Sequence, residues 1–133
     1  MENDKYFVPD IEDFRIGYEC EINGSGLAGG MDNWVQYTTK SINNLKGLET
    51  FLAAGCLRVP YLTKEQIEAE GWKQRVTEDD IWYLGEQRDY DLILAKKPHY
   101  IIILDNDNDV TLFSGYCPSI NEFRYICKLL KIT

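Results

Sequence analysis

Histidine is almost missing from this sequence: His99 is the only one in 133 residues. A Ser-His-Asp or Cys-His arrangement would have to be built around that one imidazole. Its place after Pro98, at the start of an apolar run, is that of a structural or exposed side chain. Cysteine is sparse as well. Cys20, Cys56, Cys117 and Cys127 include no C-x-x-C pair, which with a single histidine argues against a Cys/His zinc site. Basic residues are outnumbered, 14 Lys and Arg against 22 Asp and Glu, giving a formal net charge of -8 and a pI near 4.6. That balance argues against a nucleic-acid partner, because phosphate binding depends on clustered Lys and Arg. The opening MENDKYFVPD lacks a basic region followed by an apolar run, so no secretory signal is expected, and no apolar stretch reaches the length of a bilayer span. A cytosolic protein with reduced thiols acting as small core residues is the expectation.

What is present is ordinary globular material, 44% hydrophobic and 27% charged, with nine Tyr, five Phe and three Trp as bulky core formers. A chain of this length can bury a sizeable core, and no linker, repeat or low-complexity tract divides it, so a single domain over 1–133 is expected. Acids crowd the beginning: residues 1–21 hold Glu2, Asp4, Asp10, Glu12, Asp13, Glu19 and Glu21 against Lys5 and Arg15.

Phe14 to Ile22 alternates without a break, with Phe14, Ile16, Tyr18, Cys20 and Ile22 on one side and Arg15, Glu19 and Glu21 on the other, the pattern of a strand with one buried face. Trp34 to Thr39 is aromatic and β-branched and should pair with it across the glycine-rich connection. Leu45, Leu48, Phe51 and Leu52 fit a short helix or an irregular segment. Leu57-Arg58-Val59-Pro60-Tyr61 reads as a short strand in which Pro60 marks an edge or an end. Thr63 and Gln66 form a capping box for a helix over 64–70 that stops at Gly71. Strand pieces follow at 72–76 and 81–84 around the acidic turn Thr77-Glu78-Asp79-Asp80, then a three-stranded meander over 90–116. Within it, Tyr100 to Leu104 is apolar enough for a central strand covered on both faces. Ser119 and Glu122 form a second capping box, opening a helix to 131 with Ile120, Phe123, Cys127 and Leu130 on one stripe and Arg124, Lys128 and Lys131 opposite. The predicted fold is α+β: a mainly antiparallel sheet of six or seven strands with a short middle helix and a packed C-terminal helix.

Two motifs invite functional readings that their spacing does not support. Asp105, Asp107 and Asp109 occupy the first, third and fifth positions of a calcium loop, but its sixth is Val110 and its twelfth Tyr116. The sharp-turn glycine and the bidentate glutamate are therefore absent. Asn and Asp tolerate left-handed conformations, so a hairpin turn is the better reading. Gly24-Ser25-Gly26-Leu27-Ala28-Gly29 spells G-x-G-x-x-G, but it leads toward strand-like Trp34-Val35-Gln36-Tyr37 where a nucleotide site needs a helix. The pairs Asp79 with Asp80 and Glu19 with Glu21 sit in a turn and on the wet face of a strand. No catalytic, cofactor or metal residue is expected, and no cofactor.

Arg58-Val59-Pro60-Tyr61-Leu62-Thr63-Lys64-Glu65-Gln66-Ile67-Glu68-Ala69-Glu70-Gly71-Trp72 resembles an RV-x-YL-x-KE-x-IE-x-x-GW segment found in a family of small bacteriophage and mobile-element proteins with no assigned activity. In that family the segment follows an IE-x-F-x-x-G-x-E-x-E strand and precedes an LF-x-G strand and a closing helix. Ile11 to Glu21 and Leu112-Phe113-Ser114-Gly115 match those parts, while the glycines at 24–30 depart from them. The resemblance implies a phage-type origin and assigns no chemistry to any residue. The function expected is a non-enzymatic accessory protein, in the host cytosol or on the virion, that binds another protein of phage or host, self-association included. The interaction candidates are Glu12, Asp13, Glu19, Glu21, Trp34, Trp72, Trp82 and Tyr83, since Tyr and Trp are favoured at interfaces and carboxylates suit a basic partner. An acidic inhibitor of a host defence system and a small carboxylate enzyme are the alternatives. The latter needs its acids enclosed in a pocket.

Overall fold

The computed structural model describes residues 5–23, 33–40, 42–76, 80–95 and 97–132. The glycine motif at 24–29, the turn residues Thr77, Glu78 and Asp79, and the side chain of Leu45 lie outside the described residues. The fold is α+β, built of antiparallel sheets and helices in two compact units, Met1–Tyr61 and Leu62–Thr133. Where one sheet of six or seven strands was expected there are two, of four and five strands. The division falls between Tyr61 and Leu62, inside the RV-x-YL segment, where neither glycine nor serine marks it.

The N-terminal unit contains β1 (Tyr6–Phe7), a 3-10 helix (Ile11–Asp13), β2 (Glu19–Asn23), β3 (Trp34–Thr38), α1 (Ile42–Ala53) and β4 (Leu57–Pro60). Its sheet order is β1-β4-β2-β3, antiparallel throughout. The hairpin of β2 and β3 forms in the expected pairing, Glu19 opposite Thr38 through Asn23 opposite Trp34. The strand starts later than its alternation suggested. Gly17 takes a φ of 89°, and Tyr18 N–H donates back to the Arg15 carbonyl, so the chain turns before β2. Ile16 consequently stands 59% exposed, where alternation had placed it inside. Pro60 ends β4, which is an interior strand.

The weak pattern after Lys40 is a helix of twelve residues, α1. Gly55, at a φ of 73°, ends it: Cys56 N–H reaches the Phe51 carbonyl at 2.8 Å and Gly55 N–H the Leu52 carbonyl at 3.1 Å. These paired bonds satisfy carbonyls that a helix end leaves without partners. Leu48, Phe51 and Leu52 then pack with Tyr18, Cys20, Leu57 and Val59 as the core of this unit.

The C-terminal unit holds α2 (Lys64–Ala69), β5 (Lys73–Gln74), β6 (Ile81–Leu84), β7 (Tyr90–Leu94), β8 (Tyr100–Asp105), β9 (Val110–Tyr116) and α3 (Ile120–Leu129). The strands form a sequential meander, β5-β6-β7-β8-β9. Around α2 the expected capping box is present, with Thr63 Oγ1 accepting from Gln66 N–H and Gln66 Oε1 from Thr63 N–H. At α3, Ser119 caps by accepting from Asn121 N–H, but its hydroxyl donates to the Glu122 carboxylate, so Glu122 holds the cap side chain instead of completing a backbone box.

Ile67, Trp72, Trp82, Leu92, Ile101, Ile103, Cys117, Ile120, Phe123 and Cys127 form the core. Tyr100 to Leu104 does not run buried on both faces. Ile101 and Ile103 are buried while Ile102 and Leu104 are half-buried, and the middle strand of the five is β7.

α3 ends as α1 does, with Ile132 N–H on the Cys127 carbonyl and Lys131 N–H on the Lys128 carbonyl, but the left-handed position is filled by Lys131 at a φ of 57°. A side chain there crowds its own backbone, which glycine avoids. Lys131→Gly should therefore raise stability by about 0.5–1 kcal/mol. Urea unfolding of the two proteins checks this; a lower midpoint for the variant would refute it.

Candidate functional site

Alternation along β4 buries Leu57 and Val59 and turns Arg58 to the opposite face of the sheet. Register then decides its neighbours. Arg58 lies opposite Glu21 on β2, Asn23 two residues on pairs with Trp34 of β3, and Pro60 two residues on pairs with Tyr6 of β1. All four strands thus contribute to one cluster. Arg58 Nε donates to Glu21 Oε1 at 2.8 Å. Its guanidinium carbon sits 3.7 Å from the centroid of the Tyr6 ring and 4.2 Å from that of Trp34. Beside it, Gln36 Nε2 donates to Glu19 Oε1 at 2.9 Å.

The geometry fixes the guanidinium before anything is bound to it. Cation–π contacts are worth about 0.5–1 kcal/mol each when exposed and ~2 kcal/mol or more when desolvated. Two of them with one ion pair hold a normally mobile side chain in one place. The Arg58 and Glu21 side chains keep 20% and 23% of their surface open, so the ion pair is screened by water and serves placement more than stability. Among the described residues the Arg58 amino groups at Nη1 and Nη2 make no hydrogen bond. They form a planar fork suited to a carboxylate or to backbone carbonyls.

Of the eight interaction candidates, Glu19, Glu21 and Trp34 come together on this face. Glu12 and Asp13 are exposed in the 3-10 helix, where Asp10 Oδ1 accepts from Glu12 N–H and Asp13 Oδ2 from Asp10 N–H. Trp72 and Trp82, 1% and 0% exposed, are core residues of the C-terminal unit and offer no face to a partner. Trp72 packs on Phe123, while Trp82 donates from Nε1 to Glu68 Oε2 at 3.3 Å. Tyr83 is half-buried on the sheet face away from that core, with the Arg88 guanidinium 5.0 Å from its ring centroid. Arg58 and Tyr6 are the additions that sequence reasoning missed. The outward position of Arg58 was readable from the alternation of Leu57 and Val59, but its neighbours depend on strand order.

The other motif residues are placed as follows. Asp105 Oδ1 accepts from the N–H groups of Asp107 and Asn108, and Oδ2 accepts from Asn108 Nδ2 at 2.7 Å, so the aspartate run is the turn of the β8–β9 hairpin. These bonds, the Asn108 side-chain one foremost, hold the Asp105 carboxyl below its ordinary value. Among the described residues no group of His, Cys, Asp and Glu is placed to hold a metal ion. His99 lines a cavity of about 160 Å³ with Tyr100, Ile101 and Cys117. That volume falls short of the roughly 300–1,000 Å³ of ligand pockets. Asp91, 9% exposed, receives two bonds from Arg75 Nη2, at 2.9 and 2.8 Å.

All four cysteines are buried as free thiols. Burial, then the charge of Glu21, pushes Cys20 from an ordinary 9.0 up to about 11. Burial, then Glu70, does the same for Cys127, to about 11, and Cys117 is pushed higher still. Such thiols hold their protons more tightly folded than unfolded. Their contribution to stability is whole below pH 9.0 and is lost as pH rises through about 11. A thiol reagent at pH 8 should accordingly react far more slowly with native than with urea-unfolded protein, and thermal stability should start to fall above pH 9.0. Equal native and unfolded rates would contradict this burial. No helix among the described residues is long and apolar enough to cross a membrane. No protein-family model, curated protein or solved structure matches the chain.

Proposed function

We propose that this chain is a non-enzymatic, phage-type accessory protein that acts by binding another protein through the outer face of its N-terminal sheet. The observation that carries this reading is the Arg58 guanidinium held between Tyr6 and Trp34 and oriented by Glu21. Arg, Tyr and Trp are the residues that most often dominate binding energy, and they do so when rigid and partly desolvated before the partner arrives. The partner surface that fits presents carboxylate or carbonyl oxygens to the Arg58 fork and an apolar edge to Trp34. The phage-type origin rests on the resemblance of the Arg58 to Trp72 segment and of the stretches that flank it.

Immobilised protein exposed to lysates of infected and uninfected bacteria tests the proposal, with bound proteins identified and wild type compared with Trp34→Ala. One protein captured in stoichiometric amount by wild type and lost by the variant supports it, and a virion or assembly protein in that place gives the specific role. Capture of a host defence component, weakened when Glu12, Asp13, Glu19 and Glu21 are neutralised, would favour the inhibitor reading. Capture unaffected by Trp34→Ala would remove this face from the account.

A further inference from the structure

β9 is the last strand of its sheet, and among the described residues no strand lies beyond it. Natural edge strands are usually blunted by lysine, proline, a β-bulge or short length, because their outward N–H and C=O groups otherwise template pairing. β9 is seven residues long, Val-Thr-Leu-Phe-Ser-Gly-Tyr, with neither charge nor proline. A register shift against β8 beside Leu104 is its one irregularity. Val110 is 48% exposed, and Thr111 and Ser114 are exposed too. Cys117 N–H donates to the His99 carbonyl at 2.7 Å, so by antiparallel alternation Gly115 and Phe113 bond toward β8 and the Ser114 N–H points outward.

We propose that β9 is a homodimer interface, pairing antiparallel with β9 of a second copy about a two-fold axis so that the two sheets become one. This interface does not depend on the Arg58 face. Charge selects the occupant and its direction. Each copy carries a net charge of -8, so a second copy approaches most easily where acids are absent, and β9 has none. The strand is nevertheless flanked by opposite charges. At its start lies the turn carrying Asp105, Asp107 and Asp109; its last residue, Tyr116, sits opposite Tyr100, whose ring carries Lys97 Nζ at 4.4 Å from the centroid.

Parallel pairing would set the two acidic turns side by side, roughly one strand spacing of 4.8 Å apart. Antiparallel pairing separates them by nearly the strand's length, about 20 Å, well beyond a Debye length of ~8 Å. It also brings the acidic turn of each copy toward Lys97 of the other. A two-fold pairing of identical strands is self-complementary and closes after two copies, which an open edge of this kind requires to remain soluble.

Light scattering coupled to size exclusion, with sedimentation velocity for affinity, tests the proposal on the full chain. Wild type is expected to be a dimer. Ser114→Pro removes an outward donor and none toward β8, and should give a monomer with an unchanged circular dichroism spectrum. Lys97→Glu should weaken the dimer about fivefold to tenfold, and adding Asp107→Lys to it should restore affinity. Asp107 suits the exchange because its backbone N–H, not its carboxylate, bonds to Asp105 in the turn. A monomeric wild type would overturn the proposal. So would a dimer indifferent to Ser114→Pro or to a Thr111→Lys substitution on the same edge, or a charge exchange that fails to restore what Lys97→Glu removes.

Discussion

Trp82→Ala will lower the stability of the C-terminal unit by about 3–5 kcal/mol, the range for removing a large aromatic side chain from a packed core. Trp82 is completely buried in β6, among Ile67, Leu92, Ile103 and the inner face of α3. Truncation removes that apolar contact, leaves a cavity that a five-stranded sheet cannot collapse to fill, and takes from Glu68 Oε2 the indole donor at 3.3 Å. Total stabilities of domains run about 5–15 kcal/mol, so a loss of this size leaves the unit marginal. Trp72→Phe should cost less, because the Trp72 Nε1 is buried without an acceptor among the described residues and its removal strands nothing. Urea unfolding of both variants, followed by circular dichroism, gives the comparison. A Trp82→Ala loss below 1 kcal/mol would mean that the indole is not the centre of this core.

Arg58→Ala will weaken the captured complex by at least ~2 kcal/mol, about thirtyfold in Kd, while the protein remains folded. The two effects separate because Arg58 lies on the sheet face opposite the core of its unit, where its aromatic and carboxylate neighbours are partly solvated. Losing the guanidinium frees the Trp34 and Tyr6 rings and leaves Glu21 half-buried without its partner, at a cost near 1 kcal/mol in stability. Arg58→Lys should not rescue binding. An ammonium keeps the charge but has neither the planar faces that stack between two rings nor the fork that engages a carboxylate. Full affinity in Arg58→Lys would reduce the site to simple charge attraction, and full affinity in Arg58→Ala would remove it.

Local structure was the legible part of this sequence. Thr63 with Gln66, Gly71 after α2 and the stripe of Ile120, Phe123 and Cys127 are signals confined to a few neighbouring residues, and each produces the element expected of it, while the alternation from Phe14 to Ile22 does so only over its second half. The turn at Asp105 to Asp109 was readable for the same reason, since Asx side chains bond their own backbone. Two features depended on knowledge that no short window holds. The break of strand pairing between Tyr61 and Leu62 leaves no local mark, because pairing partners are chosen by tertiary contacts. Trp72 and Trp82 read from sequence as interface aromatics yet lie in the core, because aromatic excess alone does not distinguish a core ring from a surface one.

The candidate site was half legible for the same physical reason. Glu19, Glu21 and Trp34 were named from residue type, but the side chain that unites two of them, Arg58, comes from a strand 37 positions after Glu21. Only the order β1-β4-β2-β3 places Tyr6, Arg58, Glu21 and Trp34 on adjoining strands. Gly17 explains the one alternation that misled: an unbroken in-out pattern from Phe14 predicts a strand, and a left-handed glycine within it turns the chain instead.

Hydroxyl-radical footprinting of the protein, alone and in complex with a captured partner, is the sharpest test of the proposed binding surface. Oxidation of Tyr6 and Trp34 is expected to fall sharply in the complex, with Tyr83 unchanged and the buried Trp72 and Trp82 unmodified in both states as internal controls. Equal oxidation of Tyr6 and Trp34 with and without the partner would contradict it.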